Sequence, residues 1–345
     1  MKNREKLISN YIEKHKLNNA KRIKLSSDAS FRSYERLVEG DKSIMLMDAP
    51  PEKENISSFV NIDNYLRRRG LSAPEIFDFD EKNGFMLLED FGNDSFTNVL
   101  SGKSDISSDY NELELYQAAI DVLIQLDRST LPQKTPDYDG ELLMKEVMLL
   151  PDWYLPHTNP EENTNTVVEE YIAIWERLLN FTKVSDDVVV LRDYHADNLM
   201  WLPERLGVNN VGLLDFQDAV IGSPVYDIVS LLEDARRDVS EQTVEHCINH
   251  YLKNRKSIDK DTFESVYSIL AAQRNCKIVG IFARLAVRDN KPRYLNYLPR
   301  VWKHLEKGIQ HPVLEPLNKW FESVLPTDIR KPGSFIISRK EAVVG

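Results

Sequence analysis

A chain of 345 residues, 42% hydrophobic and 29% charged, has the make-up of a globular protein with room for two domains or one two-lobed unit. Its formal net charge of −11 excludes a broad nucleic-acid or anionic-membrane surface, which would need cations to displace counterions. Cys247 and Cys276 stand in no metal-ligand spacing, which argues against a disulfide framework or a zinc site and suits a reducing compartment.

The start, MKNREKLISNYIEKHK, carries charges at helical intervals and no apolar stretch of signal-peptide length. No later segment approaches the roughly 20 apolar residues that span a bilayer, so a cytoplasmic protein is expected. Residues 4–16 read as a helix. RIKLSS, SYERLVEG and SIMLMDAP then alternate apolar and polar residues, with turns at Asp28-Ala29 and Gly40-Asp41, which predicts a meander of antiparallel strands. In residues 53–70 the apolar Ile56, Phe59, Val60, Ile62 and Leu66 share a helical face, and Gly70 is a C-terminal stop. PEIFDFDEKNGFMLLEDFG reads as a hairpin turning at Lys82-Asn83-Gly84.

From about Ser95 the texture changes. Helical patterns occupy 109–129, 138–150, 163–182, 224–236, 241–254, 260–288, 297–309 and 313–324, interrupted only by the strand-like VVVL before Arg192 and VGLLDF around Leu214. An α+β chain is expected, with a β-rich lobe over 1–92, a helical lobe over 93–325 and a loosely held tail over 326–345.

The segment LRDYHADNLMWLPERLGVNNVGLLDFQDA, residues 191–219, raises a chemical question. It places Asp193 and Asn198 on a loop between strands, then Asp215 at the end of an apolar strand leading to a helix near Pro224. One task suits that set: a carboxylate orients and deprotonates a hydroxyl, while an amide oxygen and a second carboxylate are hard ligands for Mg²⁺ on a nucleoside triphosphate. Asp and Asn in loops more often make turns or caps, and the D-x-x-x-x-N spacing alone is weak. The full order of strand, Asp193, Asn198, strand, Asp215 and helix, behind a β-rich lobe, favours phosphotransfer.

LRDYHADNLMW…GLLDFQDAVIGSPVYDIVSLL resembles the catalytic core of the aminoglycoside phosphotransferase and choline kinase superfamily, which shares the two-lobed protein-kinase fold. Within it the chain is most similar to bacterial anomeric (1-) kinases of N-acetylmuramate and N-acetylglucosamine in cell-wall recycling. The likeness includes DASFRSYER, LMDAPPE, LLEDFG, LPDWYL, LLEDARRDV and RNCKIVGIFARLAVRDNKPRYLNYLPRVW.

The resemblance implies ATP and Mg²⁺, a small-molecule sugar acceptor and no obligate protein partner. It assigns Asp193 as the catalytic base, Asn198 and Asp215 as metal ligands, His195 as structural, and Asp227 as a brace of the catalytic loop. It places the phosphate-covering loop at 26–32, with Ser30, Phe31 and Arg32, and the adenine-binding hinge at 87–91, with Glu89 and Phe91. Two departures stand out. Leu191-Arg192 replaces the usual His-Gly or His-Arg before the aspartate. The third strand has Met47 and Asp48 but no lysine for the α/β-phosphates, leaving Arg32 or Arg36 for that part; the covering loop also lacks glycine.

For the acceptor, EDARRD supplies Asp234, Arg236 and Arg237, and the pattern over 260–288 sets Arg274, Lys277, Arg284 and Arg288 partly on one face, with Asp289, Lys291 and Tyr294 following. An arginine clamp suits a carboxylate-bearing sugar. Each charge of EDARRD alone reads slightly better as a solvated helix end, some of those over 260–288 are ordinary surface charges, and Trp153 and Tyr154 read equally as sugar-stacking or core. The rivals are a kinase of an aminoglycoside, choline or another small alcohol, and a nucleotide-binding pseudokinase suggested by the missing lysine.

Overall fold

A computed structural model describes residues 2–25, 31–182, 187–255 and 257–336. The helices are α1 (Lys2–Lys14), α2 (Ile56–Arg68), α3 (Phe96–Leu100), α4 (Glu112–Asp127), α5 (Gly140–Val147), α6 (Leu155–Thr158), α7 (Asn165–Leu179), α8 (Val225–Leu232), α9 (Glu241–Asn254), α10 (Lys260–Val287), α11 (Leu298–Gly308) and α12 (Glu315–Val324). The strands are β1 (Lys21–Lys24), β2 (Ser33–Glu39), β3 (Lys42–Asp48), β4 (Ile76–Asp80), β5 (Phe85–Glu89), β6 (Val188–Val190), β7 (Leu199–Trp201), β8 (Val211–Leu213) and β9 (Val220–Gly222). The α+β expectation holds, as a small antiparallel β-rich lobe and a larger helical one. Contacts divide the chain into residues 1–125 with 196–219, and residues 126–195 with 220–345. The division thus falls away from 92/93, with α3, most of α4 and the β7–β8 hairpin grouped in the first unit, where α3 packs on β7.

In the first unit the sheet order is β1-β2-β3-β5-β4, antiparallel throughout. Alternation puts Leu37, Leu46, Phe85 and Leu87 on one face, where Ile8, Tyr11 and Ile12 of α1 complete a small core. α2 starts where Asn55 Oδ1 accepts the Ser57 N–H, and buries Ile56, Phe59, Ile62 and Leu66. The expected 74–92 hairpin forms as β4 and β5. β7 pairs with β8, and their central residues, Met200 and Gly212, bridge to Ser95 and Ser72. The turn expected at Asp28-Ala29 lies outside the described residues.

Gly84, in the β4–β5 turn, has φ +69°, and its carbonyl accepts the Ala49 N–H at 2.8 Å. A Cβ there would fall 1.8 Å from Ala49 O, whereas one on Gly40, at φ +60°, would meet nothing within 4 Å. Gly40→Ala therefore carries only the left-handed penalty, about 1–2 kcal/mol. Gly84→Ala adds a backbone clash and is expected to cost roughly 2–4 kcal/mol in urea unfolding. Equal costs at the two positions would show that the turn relaxes freely.

The second unit is built around α10. Its apolar residues occupy all sides, and Gln273, Arg274, Asn275 and Lys277 are buried at its middle. A helix apolar all round belongs in a core, and a buried polar stretch inside it needs partners or a task. The helix expected over 224–236 stops at Leu232, so Asp234–Asp238 form a loop rather than a helix end. Residues 326–336 of the expected loose tail are held. Arg330, buried, donates to Leu325 O at 2.5 Å and pairs with Glu306 at 3.0 Å, and Phe335 stacks on His157 at 5.2 Å. A buried guanidinium with a carboxylate and a carbonyl partner anchors that stretch.

Candidate active site

In the second unit β6 pairs with β9, and the chain leaves β6 as Leu191-Arg192-Asp193. Asp227 on α8, 3% exposed, accepts the Leu191 N–H at 2.6 Å and the Arg192 N–H at 2.9 Å. Ser230, one turn on, donates to Arg192 O at 3.1 Å. Burial pushes the Asp227 carboxyl up to about 7, against the two backbone bonds. The bracing that sequence assigned to Asp227 is seen, and with Ser230 it holds a loop that lacks the usual histidine. It holds strain too, since Arg192 has φ 68°, a left-handed conformation that costs a non-glycine residue about 1–3 kcal/mol.

The Arg192 side chain is tied to Glu146 of α5 at 2.5 Å. The same buried carboxylate accepts from Lys277 at 2.8 Å, Tyr138 at 2.5 Å and Gln273 at 3.0 Å. Burial would raise its pKa, and Lys277 and Arg192 outweigh that and bring it below the usual range. Sequence reading missed Glu146 and Ser230; the only signal for Glu146 was a carboxylate on the buried side of GELLMKEV.

Asp193 is exposed. Desolvation by its surroundings works to raise its pKa, but Lys277, Arg274 and Arg192 hold it below the ordinary carboxylate range. Its charge is thus set by cations from α10 and from its own loop. Burial holds His195 below its usual range, with Asp234 opposing and Arg236 assisting. Its Nε2 faces Arg236 Nη1 at 3.2 Å, so the ring accepts there and is neutral. Asp234 in turn accepts the Arg236 N–H at 2.8 Å.

Among the expected acceptor residues, the structure brings Arg274, Arg236 and Asp234 to this group. Arg274 is 5% exposed and makes one long hydrogen bond, 3.5 Å to Glu233 O, with no ion pair among the described residues. Arg237 is half-buried in the same loop. Arg284 and Arg288 lie about 15 and 21 Å further along α10, at ~1.5 Å rise per residue. Arg288 is exposed and bound to Asp289 at 2.8 and 2.9 Å, and partial burial and Arg288 lower the Arg284 pKa. They do not join Arg274. Tyr154 is core, packed on Trp302 and Phe335.

In the first unit Asn198 precedes β7 and Asp215 follows β8, and Leu214 N–H donates to Asn198 O at 3.0 Å. Asp215 is left-handed at φ 58° and solvent-open, with Oδ1 accepting from Arg32 at 3.0 Å and Gln217 at 3.1 Å. Gln217 also reaches Asp218 at 3.1 Å. Ser30 lies outside the described residues. Phe31 is exposed, with Lys53 Nζ 4.4 Å above its ring. At the expected hinge, the Glu89 N–H donates to Glu75 O at 2.8 Å, and the Glu89 side chain pairs with Arg205, whose guanidinium sits 5.1 Å over Phe91. Among the described residues the Phe91 N–H has no protein partner. The Glu89 amide is therefore occupied, whereas the Phe91 amide is not.

Among the described residues no helix is long and apolar enough to cross a membrane, and no group of three His, Cys, Asp or Glu side chains gathers as a metal site. Asn198 and Asp215 can still contribute to holding Mg²⁺, which commonly takes one or two protein ligands and completes its shell with phosphate and water.

A family model described as the phosphotransferase enzyme family matches residues 21–261. The N-acetylmuramate/N-acetylglucosamine kinase of Caulobacter vibrioides is 33% identical, covering 95% of this chain and 98% of its own. The protein of the same name from Pseudomonas aeruginosa is 35% identical, over 88% of this chain and 89% of its own. Among solved structures, choline kinase LicA from Streptococcus pneumoniae has a TM-score of 0.58 over 88% of this chain and 99% of that one, at 15% identity. The ADP-bound aminoglycoside phosphotransferase APH(2'')-Ib has 0.57 over 86% and 97%, at 13% identity. At those identities the likeness establishes the kinase-like fold and nothing more.

Proposed function

Because the chain belongs to the phosphotransferase enzyme family, we propose that it moves the γ-phosphoryl group of ATP to the anomeric hydroxyl of N-acetylmuramate or N-acetylglucosamine. Asp193 orients that hydroxyl and takes its proton as the oxygen bonds to phosphorus and ADP leaves. Asn198 and Asp215 hold Mg²⁺, which supplies charge neutralisation of the phosphates. Phe91 offers its amide to the adenine at the hinge beside Glu89, and Phe31 and Arg32 serve the phosphate side with Ser30. A reaction that draws on ATP suits the cytoplasm. The observation that carries the reading is Asp193 itself: a solvent-open carboxylate, held ionised by Lys277, Arg274 and Arg192, on a loop fixed by Asp227.

The acceptor follows from charge. Cations around the base disfavour choline or an aminoglycoside and favour an anionic or neutral sugar. Arg274, buried and in no ion pair among the described residues, is the residue we assign to the N-acetylmuramate carboxylate, with Arg236, Arg237 and Asp234 around it. The test is product analysis over N-acetylmuramate, N-acetylglucosamine, choline and an aminoglycoside, followed by Arg274→Ala. That substitution should cost about 1.5–3 kcal/mol, or roughly 10–150-fold in kcat/KM, on N-acetylmuramate and much less on N-acetylglucosamine. Equal losses on both sugars would remove the clamp. Activity on choline or an aminoglycoside alone would refute the sugar.

A further inference from the structure

The residue ahead of the base is held through its backbone and through its side chain. We infer that Glu146 is a positioning residue for the transfer: through the Arg192 side chain it keeps that residue's left-handed backbone and so aims Asp193. The inference rests on the kinase reading above and adds a support to its catalytic loop.

Arg192 has φ 68° and directly precedes Asp193. An L-residue resists that conformation because Cβ approaches its own carbonyl oxygen, whereas glycine takes it freely. Asp227 and Ser230 hold the peptide groups on either side of Arg192. They act on the backbone alone and would do so with any side chain there. The side chain is what the left-handed form strains, and the side chain is what Glu146 grips. With the Arg192 N–H fixed on Asp227, a return to an ordinary φ of about −60° turns Cβ by roughly 130° about the N–Cα bond. That turn carries the guanidinium off Glu146, so the ion pair opposes it.

Glu146 is a fixed point. It lies on α5, 6% exposed, and accepts from Arg192 at 2.5 Å, Lys277 at 2.8 Å, Gln273 at 3.0 Å and Tyr138 at 2.5 Å. Two donors from α10 and one from the chain ahead of α5 thus settle the carboxylate independently of Arg192. The Tyr138 ring, 5.6 Å from Arg192 Cζ, closes a second side of the guanidinium. A buried ion pair seldom adds net stability over an apolar replacement, and its best-attested use is to select one conformation. Here the conformation selected is the one that turns the chain into Asp193.

The rival roles are core stability and charge: Glu146 balances Lys277, and Arg192 is one of the cations around Asp193. Alanine and glycine at position 192 separate these from positioning, since both delete the guanidinium and only alanine resists φ 68°. The measurements are kcat and KM for ATP with N-acetylglucosamine, ADP affinity by calorimetry, and urea unfolding. The chains are wild type, Arg192→Ala, Arg192→Gly, Glu146→Gln and the double variant Glu146→Gln/Arg192→Gly. Arg192→Ala should fall below Arg192→Gly in kcat by about tenfold, with equal ADP affinity. Glu146→Gln alone should lower kcat by about 10–100-fold, the effect of slightly misplacing a reacting group. Added to Arg192→Gly, which leaves no side chain to hold, it should cost at most about threefold. Equal kcat in Arg192→Ala and Arg192→Gly, or the same Glu146→Gln factor in both backgrounds, would overturn the assignment while the kinase reading stands. If Glu146→Gln does not fold, the comparison of Arg192→Ala with Arg192→Gly decides alone. A wild-type chain that transfers no phosphoryl group from ATP would overturn both readings.

Discussion

Asp193→Asn is expected to lower turnover by about 10²–10⁴, the range for loss of a general base, while ADP affinity and the fold are kept. The substitution preserves shape, and the loop does not depend on the Asp193 carboxylate for its position: Asp227 and Ser230 hold it through the backbone of Leu191 and Arg192. Asparagine can still accept a hydrogen bond from the acceptor hydroxyl but cannot take its proton. The surrounding cations hold Asp193 below the ordinary carboxylate range. It is therefore a weak base, ionised throughout the neutral range, which suits a loose phosphoryl transfer that depends mostly on positioning. The same shift has a stability consequence with a fixed sign. A depressed native pKa contributes stability above the unfolded value, lost as pH falls through the native one. Asp193→Asn should thus be slightly less stable than wild type at neutral pH, and the gap should close in acid below the ordinary carboxylate range. Coupled ADP-release kinetics and pH-dependent urea unfolding measure the two effects. Turnover within about tenfold of wild type would move the base elsewhere.

Local chemistry explains which parts of this structure were legible in the sequence. The β4–β5 hairpin announced itself through Lys82-Asn83-Gly84, and α2 through one apolar face and the Gly70 stop. β7 and β9 are three residues each, too short for alternation to show, and they exist because β8 and β6 lie beside them. The Asp193–Asn198–Asp215 set was readable because its members are close in sequence. Their supports are not: Arg32 reaches Asp215 across 183 residues, and Glu146 reaches Gln273 across 127. Positive φ at Arg192 was unreadable for the same reason. A non-glycine residue is kept there by distant partners, which no local pattern records. In α10 the sequence suggested one basic face, whereas helix length separates the buried Arg274 from the exposed Arg288.

Asp215→Asn is expected to remove most of the Mg²⁺ dependence of ATP binding and to lower phosphotransfer by about 10²–10³, the range for loss of one preorganised electrostatic group. Asparagine is the sharper choice here, and Asp215→Ala the complementary one. Asp215 occupies a left-handed conformation at φ 58°, which asparagine tolerates and alanine resists, so the first isolates charge while the second adds backbone strain. A carboxylate binds Mg²⁺ as a hard anionic oxygen, whereas an amide keeps only a weaker neutral oxygen. Without metal the sign should reverse: removing a carboxylate beside the phosphates relieves repulsion, so ATP in EDTA should bind at least as well as to wild type. Arg32 and Gln217 lose a strong acceptor in either variant. That effect is independent of Mg²⁺ and is therefore separable. Calorimetry of ATP with and without Mg²⁺ gives the decisive comparison. If affinity and metal dependence both stay at the wild-type level, Asp215 is not a ligand, and Asp218, solvent-open and joined to it through Gln217, becomes the residue to replace next.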